Sequence, residues 1–459
     1  MHEHGSVLDT SLFYLSTTQL GDLFFWDACM ILGMTPIVVW CQACSLDWIP
    51  AGPLDWGTRL LFELSFTAVG LHWTRASTWP WVQRIFFSLH TMVLAMKIHS
   101  YGARNATFRE KAAELNDLEE EERTLASHSF RGPHETERLQ EVSVHRSDWT
   151  RNCDFHLIQK NACVCSSRLL SPLPCSSIEV NRSSPPPSPF SSDTEDLSSK
   201  GTSRHTPSAD LCPGTVAYPD NLTVANWVDY VLIPSLVYEI HFPRTDRIRP
   251  WYVFEKALAT FGSMFLMYVT MEQSLIPSVK YAATTSLLYA LPHLMFPFLI
   301  TFLLGFFIVF ECVCNGFAEL TRFADRRFYD DWWNSSTWDE FARKWNRPVH
   351  LFLLRHVYFP LRHGLGLPKA QANFYTFLFS ALAHELAVWI MAGRLRMFFF
   401  AMQMLQIPLV YYSQRVKEHV KAWGNGIFWV SMMLGPSMMT FVYTRDHYLE
   451  QAALASESG

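Results

Sequence analysis

Residues 281–310 read YAATTSLLYALPHLMFPFLITFLLGFFIVF and contain no Asp, Glu, Lys or Arg. A helix needs roughly 20 apolar residues to cross the hydrocarbon core of a bilayer, and this run is longer than that. We therefore predict a membrane-spanning segment here. It forms either one long tilted helix or two segments that are separated near Pro297.

The rest of the chain shows the same apolar bias. Hydrophobic residues make up 49% of the 459 residues and charged residues only 17%, with 35 Phe and 17 Trp. We predict an all-α, multi-pass membrane protein with about eight or nine transmembrane helices. The other runs near spanning length are 23–43, 57–73, 82–98, 252–271, 373–392, 396–412 and 425–443.

A polar block at residues 104–215 interrupts these apolar runs. Its first part, near 108–141, is dense in charge and is compatible with a solvated helix, whereas residues 166–210 are rich in Ser and Pro. Such a composition buries too little apolar surface to order the chain. We therefore expect N-terminal transmembrane helices at 1–103, a largely disordered cytosolic insert at 104–215, and a second membrane core, which carries the chemistry, at 216–459.

After the insert, Pro, Tyr, Trp and Arg alternate from Tyr218 onwards without a run of spanning length. Amphipathic aromatic residues are typical of the headgroup level of a bilayer. We interpret this stretch as interfacial, with Arg244, Arg247 and Arg249 facing anionic lipid or substrate phosphates. A structural anchoring role and a binding role are equally compatible with the pattern.

The densest group of polar and aromatic residues follows the long apolar run. Segment 328–334, FYDDWWN, sets adjacent aspartates beside adjacent tryptophans. Beyond it, Asn346 and His350 are four residues apart and share one face of a helix. We predict one or two amphipathic helices at the membrane surface, leading into a span near 349–360. Their aromatic and apolar face has a spacing of three or four residues and comprises Trp338, Phe341, Trp345 and Val349.

The run 373–392 contains an isolated pair, His384 and Glu385. The sequence HELAV has Val388 where a zinc HExxH motif requires the second His, so this motif predicts no metal site. A lone His on an apolar helix is usually a core residue, but an ionisable residue within a membrane span is more often functional. Ser380 lies one helical turn earlier on the same face, where it can orient the imidazole.

A neutral imidazole in a dry cavity can take the proton of an alcohol while that alcohol attacks a carbonyl. A nearby amide donor stabilises the oxyanion that develops. No G-x-S-x-G nucleophile motif precedes this span, which favours direct transfer between two bound substrates over a covalent intermediate. The residues by themselves leave two interpretations open, an intramembrane acyl-transfer site and an ion relay.

The cysteines also predict no metal site. Cys163–Cys165 and Cys312–Cys314 are CxC pairs, whereas zinc and redox sites typically use CxxC pairs. Cysteines within apolar runs usually behave as small hydrophobic residues.

Several motifs resemble those of the membrane-bound O-acyltransferases, in particular the branch of sterol O-acyltransferases and related diacylglycerol O-acyltransferases. They are FADRRFYDDWWN at 323–334, KWNRPVH at 344–350, SALAHE at 380–385, KIHSY at 97–101 and LQIPLV at 405–410. The resemblance covers roughly 80–101 and 216–448 and leaves the insert outside. It implies a bundle of about nine helices in which two access routes meet at the intramembrane His.

The motifs favour the sterol branch, and its fungal type in particular. FADR before the heptad and HSY after Lys97 look like the sterol enzymes, and WNRPVHLFLLRHVY at 345–358 resembles fungal members. Gln406 in LQIPL is shared with the diacylglycerol branch and does not separate the two. The alternatives are therefore a diacylglycerol O-acyltransferase that makes triacylglycerol and, from another class, a multi-pass transporter with a proton relay at His384 and Glu385.

The resemblance also implies residue roles. His384 is expected to be the general base that activates the 3β-hydroxyl of a sterol, and Asn346 to hold the thioester carbonyl or the acyl chain. Further substrate-binding positions are Trp345, His350, Ser380, Glu385 and Gln406 in the reaction chamber. The heptad contributes Tyr329, Trp332, Trp333 and Asn334, which either contact acyl-CoA or form a structural clamp without touching substrate.

The expected substrates are acyl-CoA, entering from the cytosolic side as a co-substrate, and a sterol entering from the bilayer. No separate cofactor, metal ion or nucleic acid is expected. The resemblance further implies an endoplasmic reticulum membrane protein that contacts membrane lipids and forms a homodimer or homotetramer.

Overall fold

The structure is a computed structural model that describes residues 17–127, 216–393, 395–416 and 421–457, together with residues 14, 138, 142 and 143. The chain divides into two compact units, one formed by Met1–Asn116 with Tyr218–Gly459 and the other by Asp117–Ala217. Within the described residues the regular elements are helical, and an isolated antiparallel bridge joins Arg244 to Phe323.

Among the described residues, four helices begin before the insert and the others follow it. In chain order they are α1 (Leu20–Gly33), α2 (Pro36–Ser45), α3 (Pro53–Ala76), α4 (Trp81–Ser127), α5 (Val224–Leu232), α6 (Pro250–Thr270), α7 (Ile276–Thr284), α8 (Leu287–Phe306), α9 (Cys314–Leu320), α10 (Trp338–Lys344), α11 (Arg347–Leu353), α12 (Lys369–Ala392), α13 (Phe398–Val416) and α14 (Lys421–Glu457). Wider π-helical turns occupy Met271–Leu275, Phe307–Val313, Leu354–Tyr358 and Pro360–Gly364, and a 3₁₀ turn occupies Trp332–Asn334.

The predicted apolar runs coincide with these helices, and the predicted all-α class is confirmed for the described residues. By length and apolar composition, three described stretches are able to cross a membrane: Leu20–Ser45, Leu287–Leu320 and Trp423–Tyr443. The first of these contains both α1 and α2, which Pro36 separates by a short turn. The larger count of eight or nine spans stays a prediction.

The predicted break near Pro297 is absent, because α8 continues through Pro292 and Pro297. A proline inside a helix removes one backbone hydrogen bond without ending the helix when its neighbours hold the chain. The helical path runs on through the π-helical turn Phe307–Val313 into α9. The interruption lies instead between α7 and α8, where Thr285 and Ser286 have extended backbone angles. The structure therefore shows one continuous helical path over Leu287–Leu320 and a break at 285–286, inside the predicted run but away from Pro297.

Helix α4 continues well past the expected end of the N-terminal membrane region at residue 103. It reaches Ser127, and Phe108 and Leu115 on it are buried. The charge-dense start of the insert thus forms a helix as far as the structure describes it. The Ser- and Pro-rich stretch 166–210 lies outside the described residues.

The KIHSY motif on α4 organises the chain that returns from the insert. The ammonium of Lys97, 5% exposed, donates hydrogen bonds to the carbonyls of Tyr230, Ile233 and Ser235 at 2.8–2.9 Å. These carbonyls lie at and beyond the end of α5, where no helical partner remains for them. Lys97 therefore supplies the hydrogen bonds that the main chain lacks there.

Two asparagines join the two ends of the insert. The side-chain amide of Asn221 donates to the side-chain oxygen of Asn105 at 2.8 Å and to the Tyr238 hydroxyl at 3.0 Å. Both asparagines are buried. The chain on either side of the insert is thereby fixed to the same core.

Candidate active site

His384 lies in the middle of α12, and its imidazole is held on two sides. Its Nδ1 is 2.8 Å from the carbonyl oxygen of Ser380. Because a carbonyl only accepts hydrogen bonds, this contact selects the tautomer that is protonated at Nδ1 and leaves a lone pair on Nε2. The Phe399 ring stacks on the imidazole with a centroid distance of 5.6 Å and an interplanar angle of 23°. A neutral imidazole in this form can act as a general base through Nε2.

The predicted orienting role of Ser380 is fulfilled by its main chain. The sequence placed the Ser380 hydroxyl one turn before His384, but the described contact uses the backbone carbonyl. In an α-helix that carbonyl lies beside residue 384 whatever the side chain at position 380. The side chain of Ser380 is therefore not needed for the tautomer of His384.

Glu385 is next to His384 in sequence but contacts another helix. The residue is 2% exposed, and its two carboxylate oxygens accept the backbone N–H groups of Met397 at 2.7 Å and Phe400 at 2.9 Å. These amides lie at the start of α13. Because both oxygens are bound to main chain, Glu385 is poorly placed to relay protons, and its contact with substrate stays a prediction.

Asn346 begins α11. Its side-chain oxygen accepts the backbone N–H of Val349 at 3.2 Å, and its carbonyl accepts that of His350 at 3.0 Å. Asn is a preferred helix N-cap for this reason. Pro348, in the first turn, suits the start of a helix, as its position in the sequence predicts. The amide nitrogen of Asn346 remains as a donor for a carbonyl. Among the described contacts, none joins Asn346 to His384.

The heptad is tied to the KWNRPVH segment by ion pairs. Asp330 accepts hydrogen bonds from Arg327 and Arg347 at 2.8 Å each, and its backbone N–H donates to the Lys344 carbonyl at 2.8 Å. The Arg327 guanidinium, together with Arg347, lowers the pKa of Asp330 despite partial burial. Asp331 pairs with Lys344 at 2.8 Å. These ion pairs form a clamp between the heptad and the KWNRPVH segment. Contact of the heptad with acyl-CoA stays a prediction.

Three predicted substrate-binding rings pack inside an aromatic cluster. Trp332 is 2% exposed and packs with Tyr329 and Trp345 against residues of α8, α10 and α14. Burial and a hydrogen bond to Glu311 at 3.0 Å raise the pKa of Tyr329 to about 12. These rings shape the surroundings of the site, and their contact with substrate stays a prediction. The described partners of the three rings include Phe302, Phe306, Phe310, Phe341 and Trp429.

The other proposed positions are more accessible. Trp333 is 42% exposed, and its carbonyl accepts hydrogen bonds from Asn425 and Trp429 of α14. Asn334 is exposed beside it. His350 on α11 and Gln406 on α13 are partly buried. Direct substrate contact of all four residues stays a prediction.

The arginines after the insert form ion pairs that agree with the anchoring role, and their contact with lipid or phosphate stays a prediction. Arg249 pairs with Glu319, which is fully buried, at 2.8 Å, and Arg244 pairs with Asp229. Glu319 in turn binds Arg326 of the FADR motif at 2.5 Å. Arg244 and Arg249 therefore join helices to one another, although both residues are exposed, as Arg247 is.

A polar cluster on the KIHSY motif was not predicted from the sequence. Ser100 Oγ lies 2.9 Å from His356 Nε2, and His99 Nδ1 lies 2.9 Å from Glu63. The His99 and His356 rings are also in contact, with centroids 5.2 Å apart. His356 follows the motif by 256 positions, so no local spacing signals the pair. The motif was visible in the sequence, but its partners were not.

A CxxC pair was missed as well. Cys41 and Cys44 on α2 have the spacing that the other cysteine pairs lack. Both are free, buried thiols, and Cys44 Sγ lies 3.6 Å from an Asp55 oxygen. They pack against α3 as small side chains do.

The chain is similar to known proteins over most of its length. Residues 218–444 match the model of the membrane-bound O-acyltransferase (MBOAT) family. The chain is 35% identical over 399 residues to the protein named "Probable sterol O-acyltransferase 1" of Schizosaccharomyces pombe, covering 85% of this chain and 67% of that protein. It is 29% identical over 457 residues to Sterol O-acyltransferase 2 of Saccharomyces cerevisiae, covering 96% of this chain and 62% of that protein.

A relative from the other branch matches a smaller part. Diacylglycerol O-acyltransferase 1 of Dictyostelium discoideum is 33% identical over 243 residues, covering 51% of this chain and 39% of that protein. The chain spans about two thirds of the length of the first two sterol relatives that it matches.

Proposed function

The chain belongs to the membrane-bound O-acyltransferase family, and we propose that it is a sterol O-acyltransferase. It transfers a long-chain acyl group from acyl-CoA to the 3β-hydroxyl of a sterol and yields a steryl ester and CoA. The observation that carries this proposal is the extent of similarity. The relatives named sterol O-acyltransferase match 85% and 96% of the chain, whereas the diacylglycerol relative matches 51%.

The imidazole of His384 supports a direct transfer. Its Nε2 lone pair takes the proton of the sterol hydroxyl as that oxygen attacks the thioester carbonyl. The new C–O bond replaces the C–S bond, and the departing CoA sulfur takes up the proton that His384 received. The amide nitrogen of Asn346 is a candidate donor to the carbonyl oxygen, where negative charge develops.

The remaining expectations follow from this activity. Acyl-CoA is a co-substrate, and the reaction as written needs no further cofactor or metal ion. The apolar helices place the chain in a membrane, and we propose that of the endoplasmic reticulum. Multiple spans and a homodimer or homotetramer are part of the proposal.

A diacylglycerol acceptor is the second candidate, because the match to Diacylglycerol O-acyltransferase 1 includes a 33% identical stretch. The same base and donor would act on either alcohol. A transporter with a His384–Glu385 relay has less support, since the carboxylate of Glu385 binds two backbone amides.

An acceptor competition separates the two enzymes. Microsomes that contain the chain are incubated with labelled oleoyl-CoA and equal amounts of a sterol and a diacylglycerol. We expect label in steryl ester, with microsomes containing His384→Ala as the blank. Label in triacylglycerol alone would show that the proposed acceptor is wrong.

A further inference from the structure

The buried carboxylate of Glu385 on α12 binds the start of α13. Glu385 is 2% exposed and binds the backbone N–H groups of Met397 and Phe400 with one oxygen each. The first amides of a helix have no acceptor within the helix, and they carry the positive end of its dipole. A carboxylate satisfies both requirements. Glu385 is thus the cap of α13, supplied by the preceding helix.

The turn that Glu385 holds has an unusual backbone. Met397 has φ = 60°, in the left-handed region that favours glycine. A side chain makes this conformation costly, so it persists only where other contacts enforce it. The hydrogen bond from the Met397 N–H to Glu385 is such a contact. Glu385 therefore fixes the direction in which α13 starts.

Two aromatic residues lie between the amides that Glu385 binds. The Phe399 ring stacks on the His384 imidazole, with centroids 5.6 Å apart. The Phe398 ring packs edge-to-face on Tyr443 of α14 at 5.8 Å. A rotation or shift of the first turn of α13 would carry Phe399 away from the imidazole.

We propose that Glu385 is a positioning residue for His384 that acts through the start of α13 and the ring of Phe399. This inference rests on the proposed role of His384 as the base. The Ser380 carbonyl sets the tautomer of the imidazole, and Phe399 sets the plane of its ring. Glu385 holds Phe399 where it does so.

The adjacency of His384 and Glu385 has a geometric explanation in this arrangement. Consecutive helical residues point about 100° apart, so the carboxylate reaches α13 while the imidazole faces a different direction. Glu385 thus reaches His384 indirectly. Its carboxylate binds the start of α13, and Phe399 on α13 stacks on the imidazole. A direct hydrogen bond between them is not required.

A double-mutant cycle tests this path in microsomes. We expect Glu385→Ala to lower kcat on the order of 10- to 100-fold, since a small displacement of a catalytic group has effects of that size. The KM for oleoyl-CoA should stay within about twofold. Phe399→Leu should lower kcat as well, and the double variant should be no slower than Glu385→Ala alone. If the two substitutions lowered kcat independently, their effects would multiply in the double variant, and the proposal would be wrong. An unchanged kcat in Glu385→Ala would also overturn it.

A chemical readout makes the test independent of turnover. Diethylpyrocarbonate modifies the free nitrogen of an imidazole, and mass spectrometry follows His384 with the exposed His363 as internal reference. We expect an altered modification rate of His384 in Glu385→Ala and in Phe399→Leu, because the exposed imidazole loses the stacked ring that fixes its plane and its Nε2 then points elsewhere. The matched control is Phe379→Leu, which removes an exposed ring from α12, the helix that carries His384. Its modification rate should equal that of the wild type.

The two proposals fail in different ways. If the wild-type chain esterifies neither acceptor, the proposed function is wrong, and the modification rates still decide the role of Glu385. Equal rates in the wild type and Glu385→Ala would contradict the positioning role whatever the activity. If Glu385→Ala does not accumulate as folded protein, Glu385→Gln replaces it, since the amide keeps one acceptor oxygen and loses the other.

Discussion

The Ser380 carbonyl and the His384 imidazole illustrate how main-chain geometry prepares a side chain for chemistry. The carbonyl accepts the proton on Nδ1, so the tautomer is fixed by helix geometry rather than by a neighbouring side chain. From the sequence, the choice of His384 was possible because an imidazole is costly within an apolar helix. The role of Phe399 was not predictable, since it depends on the direction of a different helix.

Replacing Ser380 by Ala tests whether the carbonyl or the hydroxyl of residue 380 positions the His384 imidazole. We expect kcat within about twofold of the wild type, because the carbonyl and its bond to Nδ1 remain. His384→Ala in the same preparation should show no turnover above background. The measurement is the initial rate of ester formation at saturating acyl-CoA. A loss of activity in Ser380→Ala comparable to that in His384→Ala would assign the role to the hydroxyl.

Asn346 combines a structural and a proposed chemical role, and substitution can separate them. Asn346→Ala removes the helix cap, worth about 1 kcal/mol, and the amide donor. Asn346→Ser keeps an oxygen that caps α11 but lacks the amide nitrogen. We expect both variants to lose kcat, and Asn346→Ser to recover the thermal stability that Asn346→Ala loses. Full activity in Asn346→Ser would show that Asn346 acts through the cap alone.

At the scale of elements, the heptad and the two helices after it pack together and are joined by ion pairs. Asp330 and Asp331 attach the 3₁₀ turn to Lys344 and Arg347, and Trp332 fills the space between α8, α10 and α14. The spacing of Trp338, Phe341 and Trp345 predicted the packed face of α10, because a helical period shows in a local window. Val349, the fourth predicted member, lies on α11 and packs in another cluster with Phe352. The ion pairs of the heptad were less visible, since opposite charges in a sequence do not reveal which pairs meet.

The clamp should depend on pH. Arg327 and Arg347 lower the pKa of Asp330 in the folded state. The ion pairs of Asp330 therefore stabilise the fold fully at pH values above its unfolded pKa of about 4. This stabilisation is lost as the pH falls through the lower folded value. Asp330→Asn should lower the thermal stability at pH 6 by about 1 kcal/mol, and the difference should shrink below pH 4. Unfolding in detergent across this range measures it. Asp339→Asn, whose described ion pair is with Arg343 on the same helix, is the control. A difference for Asp330→Asn that stays constant with pH would exclude the ion pairs as its cause.

At the scale of the whole molecule, the sequence predicts the helices better than their assembly. Apolar runs locate the helices because membrane insertion depends on local composition. Contacts such as Ser100–His356 join residues far apart in the chain, and composition carries no information on such pairs. The same reason explains why Pro297 suggested a break. A local rule for prolines does not include the packing that carries α8 through it.

Lys97 provides a test of assembly. Lys97→Met keeps the side-chain length but leaves the carbonyls of Tyr230, Ile233 and Ser235 without their donor. We expect a loss of roughly 3 kcal/mol or more, since each buried acceptor without a partner costs about 1 kcal/mol or more. The monodisperse fraction and the midpoint of thermal unfolding in detergent measure this loss. Lys280→Met, on an exposed position of α7, should change neither, and equal effects of both variants would contradict the assignment.

The bond between Asn105 and Asn221 has a consequence for how this chain can change over time. It fixes the start and end of the insert at one place in the core. The insert is therefore a loop whose two ends are held together. The entropy needed to close such a loop grows only with the logarithm of its length. Additions or losses within it therefore barely alter the free energy of the membrane core. The insert is a place where new regulatory sequence can accumulate while the acyl-transfer chemistry stays untouched.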